Sequence, residues 1–294
     1  MQLLNQDIHI RDPFVVTEGG KYYLYGTRGP TCWGLADGFD VYTGTDLQHW
    51  DGPFACFHND GDFWADRNYW APEVHRWRGK WYMFASFKAE DVPRGTAILC
   101  ADSPMGPFRP HSDGRVTPPD WACLDGTMYV DRAGKPWMVF CHEWVQIGDG
   151  EVLAMPLTDD LRAACGEPRL LFRASDAPWA KEIQHSSGIR GRVTDGPFLW
   201  RTPDGALYCL WSSISESGYT LGAARSDTGD IDGKFEQVPP LFTRDGGHGM
   251  LFRGLDGALY LTLHRPNKTP GERPCFIRVN DETLRSDDQE GATA

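Results

Sequence analysis

A short phrase written five times limits what this chain can fold into more than any single residue does. The copies are GGKYYLYGT (19–27), RGKWYMFAS (78–86), AGKPWMVFC (133–141), DGALYCLWS (204–212) and DGALYLTLH (256–264). Each carries a glycine ahead of an aromatic and aliphatic run, and these glycines (Gly20, Gly79, Gly134, Gly205, Gly257) stand 59, 55, 71 and 52 residues apart. Glycine tolerates the positive φ of a tight turn, and the run behind it suits a strand packed on both faces. Shortly before each glycine, a second phrase passes from polar or small residues into apolar ones: RDPFVV, WAPEVHRW, LDGTMYV, TDGPFLW and GHGMLF. A hairpin therefore recurs with a period of roughly 55 residues, and further strand-like runs such as FDVYTGTDLQHW and TAILCADSPMGPF fill each period. The arithmetic predicts an all-β fold, a five-bladed β-propeller with four-stranded blades, whose radial repetition leaves few open sheet edges. A β-sandwich with similar hairpins is the competing architecture. No long stretch repeats apolar residues every 3.6 positions, so few helices are expected. The propeller is expected over residues 1–285 as one domain, with a polar tail over 286–294.

Composition agrees and removes several function classes. Gly 33 and Pro 21 in 294 residues supply turns, while 13% aromatic residues, 12 of them Trp, supply strand packing. A formal net charge of −12 disfavours a nucleic-acid backbone or an anionic membrane surface as partner. No apolar run reaches membrane-spanning length, and MQLLNQDIHIRDPF lacks the charged and apolar regions of a signal peptide, so the chain as given reads as cytoplasmic. The eight cysteines (Cys32, Cys56, Cys100, Cys123, Cys141, Cys165, Cys209, Cys275) are scattered without metal-site spacing and read as buried free thiols.

In a propeller the innermost strands line the axis, so matching positions of the five repeats converge. The polar starts of the second phrase give Asp12, Glu73, Asp125, Asp195 and His248, with Glu73 open to an offset behind Trp70-Ala71-Pro72. One aspartate ahead of a strand is ordinarily a turn or cap residue. Several in register suggest a site, used either for a metal ion or for acid and base chemistry. Calcium wants six to eight oxygens, and no EF-hand-like loop is present, although a single axial ion fits the pattern. Carboxylates on different blades could instead flank a sugar ring, one activating water while another protonates the leaving oxygen. A neighbouring like charge would keep one of them protonated near neutral pH.

At these residues the sequence resembles glycoside hydrolase family 43, five-bladed propeller enzymes acting on arabinose- and xylose-containing polysaccharides. The resemblance runs from Asp12 to about Arg278. It implies Asp12 as general base in RDPFVV, and Asp125, in LDGTMYVDRAGKPWMVF, as the residue that tunes and orients the acid. It further implies Trp70, in NYWAPEVHRWRGKWYMFAS, as a sugar platform, and His248, in DGGHGMLF, beside an axial ion such as calcium or a water. No cofactor is implied for the chemistry. One position departs from the family pattern, because Asp195-Gly196-Pro197 stands where a Glu-Gly-Pro segment normally supplies the general acid. An aspartate is one methylene shorter, which leaves Asp195 or Glu143, in CHEWVQ, as the acid; Glu182 and Glu216 are weaker candidates. Trp33, Phe39 and Trp144 are expected near the sugar, Arg273 matches a substrate-contacting arginine of the closing strand, and Trp81, Trp137 and Trp211 are expected in the core.

The resemblance implies an inverting, exo-acting hydrolase that releases a terminal pentose from an arabinose- or xylose-containing oligosaccharide. α-L-Arabinofuranosidase is the first expectation and β-xylosidase the second. A hexose-specific propeller glycosidase and a noncatalytic carbohydrate-binding propeller are the alternatives, the latter consistent with the Glu-to-Asp departure.

Overall fold

The computed structural model describes residues 2–286, so the tail expected over 286–294 lies outside the described residues from 287 onward. Five antiparallel sheets follow one another along the chain as the repeat requires. The inner strands are Ile10–Glu18, Arg67–Trp77, Cys123–Val130, Asp195–Arg201 and Gly247–Arg253. Each contacts the inner strands of the two neighbouring blades, the fifth meeting the first, so the ring closes. All five copies of the repeated phrase are turns leading into the second strands, with Gly20, Gly79, Gly134, Gly205 and Gly257 at positive φ.

The blades are less uniform than expected. The second, third and fourth have four strands, whereas the first has five because Leu3–Leu4 adds to its outer edge, and the fifth has three among the described residues. A short hairpin, Ile183–Gln184 with Arg190–Gly191, stands apart from the blades between the third and the fourth. It accounts for the longest repeat interval.

The apolar core forms three clusters wedged between adjacent blades. Trp50 and Trp211 are completely buried there, each contributing about 1.5–3 kcal/mol or more by area. Trp81 is also buried in the core, and Trp137 packs against it half-buried. Cys32, Cys56, Cys123, Cys141 and Cys209 are buried free thiols, while Cys165 is exposed and Cys100 and Cys275 are intermediate. Among the described residues no helix is long and apolar enough to cross a membrane.

Candidate active site

One backbone device, repeated five times, builds the floor of the site. Every inner strand carries a β-bulge, between Arg11 and Phe14, Trp70 and Glu73, Leu124 and Thr127, Asp195 and Phe198, and Gly247 and Met250. Two inner-strand residues there oppose one on the partner strand. The first bulged residue adopts positive φ in each blade: Asp12 (54°), Ala71 (46°), Asp125 (57°), Gly196 (52°) and His248 (51°). Asp, His and Gly tolerate this left-handed region better than most residues, which is one local reason for their presence. The bulges also correct the register read from sequence. The equivalents of Asp12, Asp125 and His248 are Ala71 and Gly196; Glu73 lies two residues further on and Asp195 one residue earlier.

Each bulged N–H is latched by a neighbouring blade. Ala71 N–H donates to Thr27 Oγ1 (2.7 Å), Asp125 N–H to Ser86 Oγ (2.7 Å), His248 N–H to Ser212 Oγ (2.8 Å) and Asp12 N–H to His264 Nδ1 (3.1 Å). Thr27, Ser86, Ser212 and His264 are the last residues of four copies of the repeated phrase. In the remaining copy that place is Cys141, a weak acceptor, and Gly196 N–H instead donates to Asp125 Oδ2 (2.9 Å). Asp125 is thus tied into the ring through its side chain.

The functional side chains converge on one cavity of about 280 Å³ lined by Asp12, Asp125, Asp195, His248, Glu143 and Tyr219, with aromatic and apolar walls. His248 Nδ1 lies 3.1 Å from Asp12 Oδ1 and 3.7 Å from Asp125 Oδ2. Asp12 also accepts from Thr27 Oγ1 at 2.6 Å. Burial by itself would push the Asp12 carboxyl up, but His248, His264, Arg11 and the Thr27 hydroxyl outweigh it and hold Asp12 below the ordinary range. Asp125 goes the other way, raised well above the ordinary value by burial and by the charge of Asp12. Asp195 is pushed up to about 7 by burial and by Asp125, although part of its surface stays open to the cavity. Three carboxyl groups therefore meet in one hollow, with one favoured as carboxylate and two as acids.

The predicted sugar contacts divide. Trp33, Trp70 and Trp144 line the cavity. Trp33 is 61% exposed and stands edge-on to Trp70, with centroids 5.4 Å apart. The Arg94 guanidinium lies 3.6 Å over the Trp70 ring, so at most one face of Trp70 is left for a sugar. Phe39 is corrected: its ring is wholly buried among Phe57, Tyr69 and Phe87, because its strand turns that side chain into the core. Arg273 is corrected too. Its guanidinium donates to the carbonyls of Gln6 (2.6 Å), Pro270 (3.0 Å) and Glu272 (2.7 Å), away from the cavity, where it fastens the closing strand to the N-terminal segment. Glu143 reaches the cavity from the turn after the strand Pro136–His142, paired with Arg94 at 2.7 Å. Glu182 and Glu216 face Arg190 and Lys181 at 2.7 Å and lie outside it.

Residues 6–281 match the profile described as glycosyl hydrolases family 43. The chain belongs to this family. The crystal structure of an endo-arabinase from Bacteroides thetaiotaomicron is similar at 38% identity and a TM-score of 0.89, covering 96% of this chain and 98% of that one. An extracellular endo-α-(1→5)-L-arabinanase of Thermotoga petrophila is 24% identical over 74% of this chain and 49% of its own length. An extracellular exo-α-(1→5)-L-arabinofuranosidase of Streptomyces chartreusis is 26% identical over 63% of this chain and 56% of its own. The chain thus spans about half the length of these two relatives.

Within this family 43 site, sequence reasoning missed Arg94, Tyr219 and His264. His264 had a usable signal, since it ends a copy of the repeat; Arg94 and Tyr219 lie outside the repeated phrases and had none. Of the possible ion beside His248, the structure offers one orphaned nitrogen. Nε2 is buried without a hydrogen-bond partner among the described residues, while Nδ1 faces the two aspartates. No group of three or more His, Cys, Asp and Glu side chains among the described residues is arranged to hold a metal ion, and one imidazole is a poor fit to calcium's demand for oxygens.

Proposed function

We propose that this chain is an inverting glycoside hydrolase releasing terminal α-L-arabinofuranose from arabinose-containing oligosaccharides. The observation that carries the reading is the pair Asp12 and Asp195, in one cavity, driven by their surroundings toward opposite protonation states. Asp12 takes a proton from a water whose oxygen bonds to the anomeric carbon; the glycosidic C–O bond breaks and the leaving oxygen takes the proton of Asp195. Asp125 holds the acid protonated through its proximity and keeps the fourth-blade bulge in place. Glu143, held by Arg94 at the cavity wall, is suited to accepting hydrogen bonds from sugar hydroxyls.

Exo action is supported by the small cavity and by its walls. Trp33 and Asn267 stand among the lining residues together with Trp144 and the hairpin residues Ile183 and His185. Endo action is the second reading, favoured by the likeness to two proteins named for it. Linear arabinan separates the two: free arabinose with slow loss of viscosity is expected, and rapid loss of viscosity with mixed oligosaccharides would select the endo reading. Aryl α-L-arabinofuranosides, β-D-xylosides and hexosides should be offered side by side, with turnover expected on the first. Turnover of hexosides alone, or of none, would defeat the proposal. Proton NMR of the first-formed sugar should show the inverted anomer.

A further inference from the structure

Asp195 makes one side-chain hydrogen bond among the described residues. It accepts from the phenol of Tyr219, whose oxygen lies 3.0 Å from Oδ2. Tyr219 is the second residue of the third strand of the fourth blade, Gly218–Ser226, and its side chain packs against the fifth blade. Its ring stacks on His264, with centroids 5.5 Å apart and planes 28° off parallel. Gly247 is also against the ring: a Cβ there would come within 2.7 Å of Cε1. The Tyr219 N–H donates to Asp245 Oδ1 (3.2 Å), and its carbonyl accepts from Gly246 N–H (2.9 Å). Only 2% exposed, the phenol can point its hydroxyl almost nowhere but at the carboxyl.

We infer that Tyr219 is the positioning residue of the general acid, fixing Oδ2 of Asp195 so that the transferable proton sits on Oδ1, facing the leaving oxygen. The inference rests on Asp195 being the acid of the proposed hydrolysis. An aspartate has less reach than the glutamate that the family pattern favours, so its orientation has to be set by a neighbour. When Asp195 gives up its proton it becomes a carboxylate, and the bond from Tyr219 becomes charge-assisted and stronger. The phenol thus favours the ionised product of the transfer and makes Asp195 a stronger acid than its burial would leave it. Burial and the charges of Asp195 and Asp12 hold the phenol itself well above its ordinary value, so it remains a donor throughout. The other ionisable groups around this pair are Asp125 from the third blade, Arg11 and Asp12 from the first, His248 and His264 from the fifth, Asp245 just ahead of the fifth blade's inner strand, and the buried Cys141 thiol.

The test uses Tyr219→Phe with two substrates, an arabinobiose whose leaving alcohol needs a proton and a dinitrophenyl arabinofuranoside whose leaving group needs none. Expected are a roughly 10- to 100-fold loss of kcat on arabinobiose with KM changed less than about threefold, and a loss below about threefold on the dinitrophenyl substrate. The alkaline limb of the arabinobiose profile should also move upward by about half a pH unit or more, because the carboxylate has lost a donor. Replacing Tyr219 with 3,5-difluorotyrosine keeps the ring, strengthens the donor and should move that limb downward, a result available even if Tyr219→Phe does not fold. Equal losses on both substrates, or a limb unmoved in both variants, would overturn the inference while leaving the hydrolase standing. A wild-type protein without turnover, or an Asp195→Asn variant with an unchanged alkaline limb, would remove its foundation first.

Discussion

The first and fourth blades each bring an aspartate to the same cavity, and their surroundings treat the two differently. Asp12 occupies the bulge, where His248 lies 3.1 Å away, Thr27 donates to it, and Arg11 is its chain neighbour. Asp195 stands one residue before its bulge, with the buried carboxyl of Asp125 as its strongest acidic neighbour and a neutral phenol as its hydrogen-bond donor. Burial costs both of them their charge. Basic neighbours and hydrogen-bond donors repay that cost at Asp12, while a second buried carboxyl adds to it at Asp195. The two aspartates are therefore driven to opposite protonation states by their neighbours and by a one-residue register difference, although the amino acid is the same.

The most severe way to break this comparison is to neutralise either member. Asp12→Asn and Asp195→Asn should each lower kcat/KM on arabinobiose by about 10²–10⁴-fold or more with the fold retained, and circular dichroism beside steady-state kinetics checks this. A mild Asp195→Asn effect beside a severe Glu143→Gln effect would move the acid to the third blade. The pH profile follows from the directions of shift: the acid limb should fall below the ordinary carboxylate range, set by Asp12, and the alkaline limb near 7, set by Asp195.

Stability sharpens the same contrast. The folded state raises Asp195 to about 7, so between its ordinary value and 7 it holds a proton that the unfolded chain has released, and stability falls as pH rises through that window. Asn carries no such penalty. Asp195→Asn should therefore match wild type near pH 4 and be more stable at pH 8 by ~1–3 kcal/mol, a figure discounted for the solvent-facing part of the side chain. Urea melts at the two pH values measure it, and equal stability at pH 8 would contradict the raised acid. The Asp12 shift has the opposite sign: its stabilisation is present above the ordinary carboxylate value and is lost as pH falls through the depressed one. The smallest expected effect is that of Glu143→Gln, a severalfold rise in KM with kcat nearly unchanged.

Much of the ring was legible because repetition makes five weak signals agree. The turn glycines and the polar starts of the inner strands follow from it, whereas the cavity-facing Trp70 came from the family resemblance and Trp33 and Trp144 from their places outside the repeated hairpins. Phe39 was misplaced because the alternation of a strand does not say which face turns to the core when both faces carry aromatics. Arg273 was misplaced because a guanidinium near the end of the chain can reach several carbonyls, and only the packed N-terminal segment chooses among them. Glu73 was aligned with Asp12 with an offset left open, and the bulge supplies that offset: Ala71 takes the place of Asp12, and Glu73 lies 3.3 Å from His75, burial pushing the carboxyl up to about 8 and the imidazole down to about 3.

Periodicity in the chain was enough for the number of blades, their order and the identity of the three aspartates, since those depend on local strand and turn preferences repeated along one dimension. Protonation, aim and reach were settled by folding. Tyr219, Arg94, His264 and His248 come from separate stretches of sequence, and the field each one exerts on a carboxyl depends on distances of a few ångströms that exist only once the ring has closed.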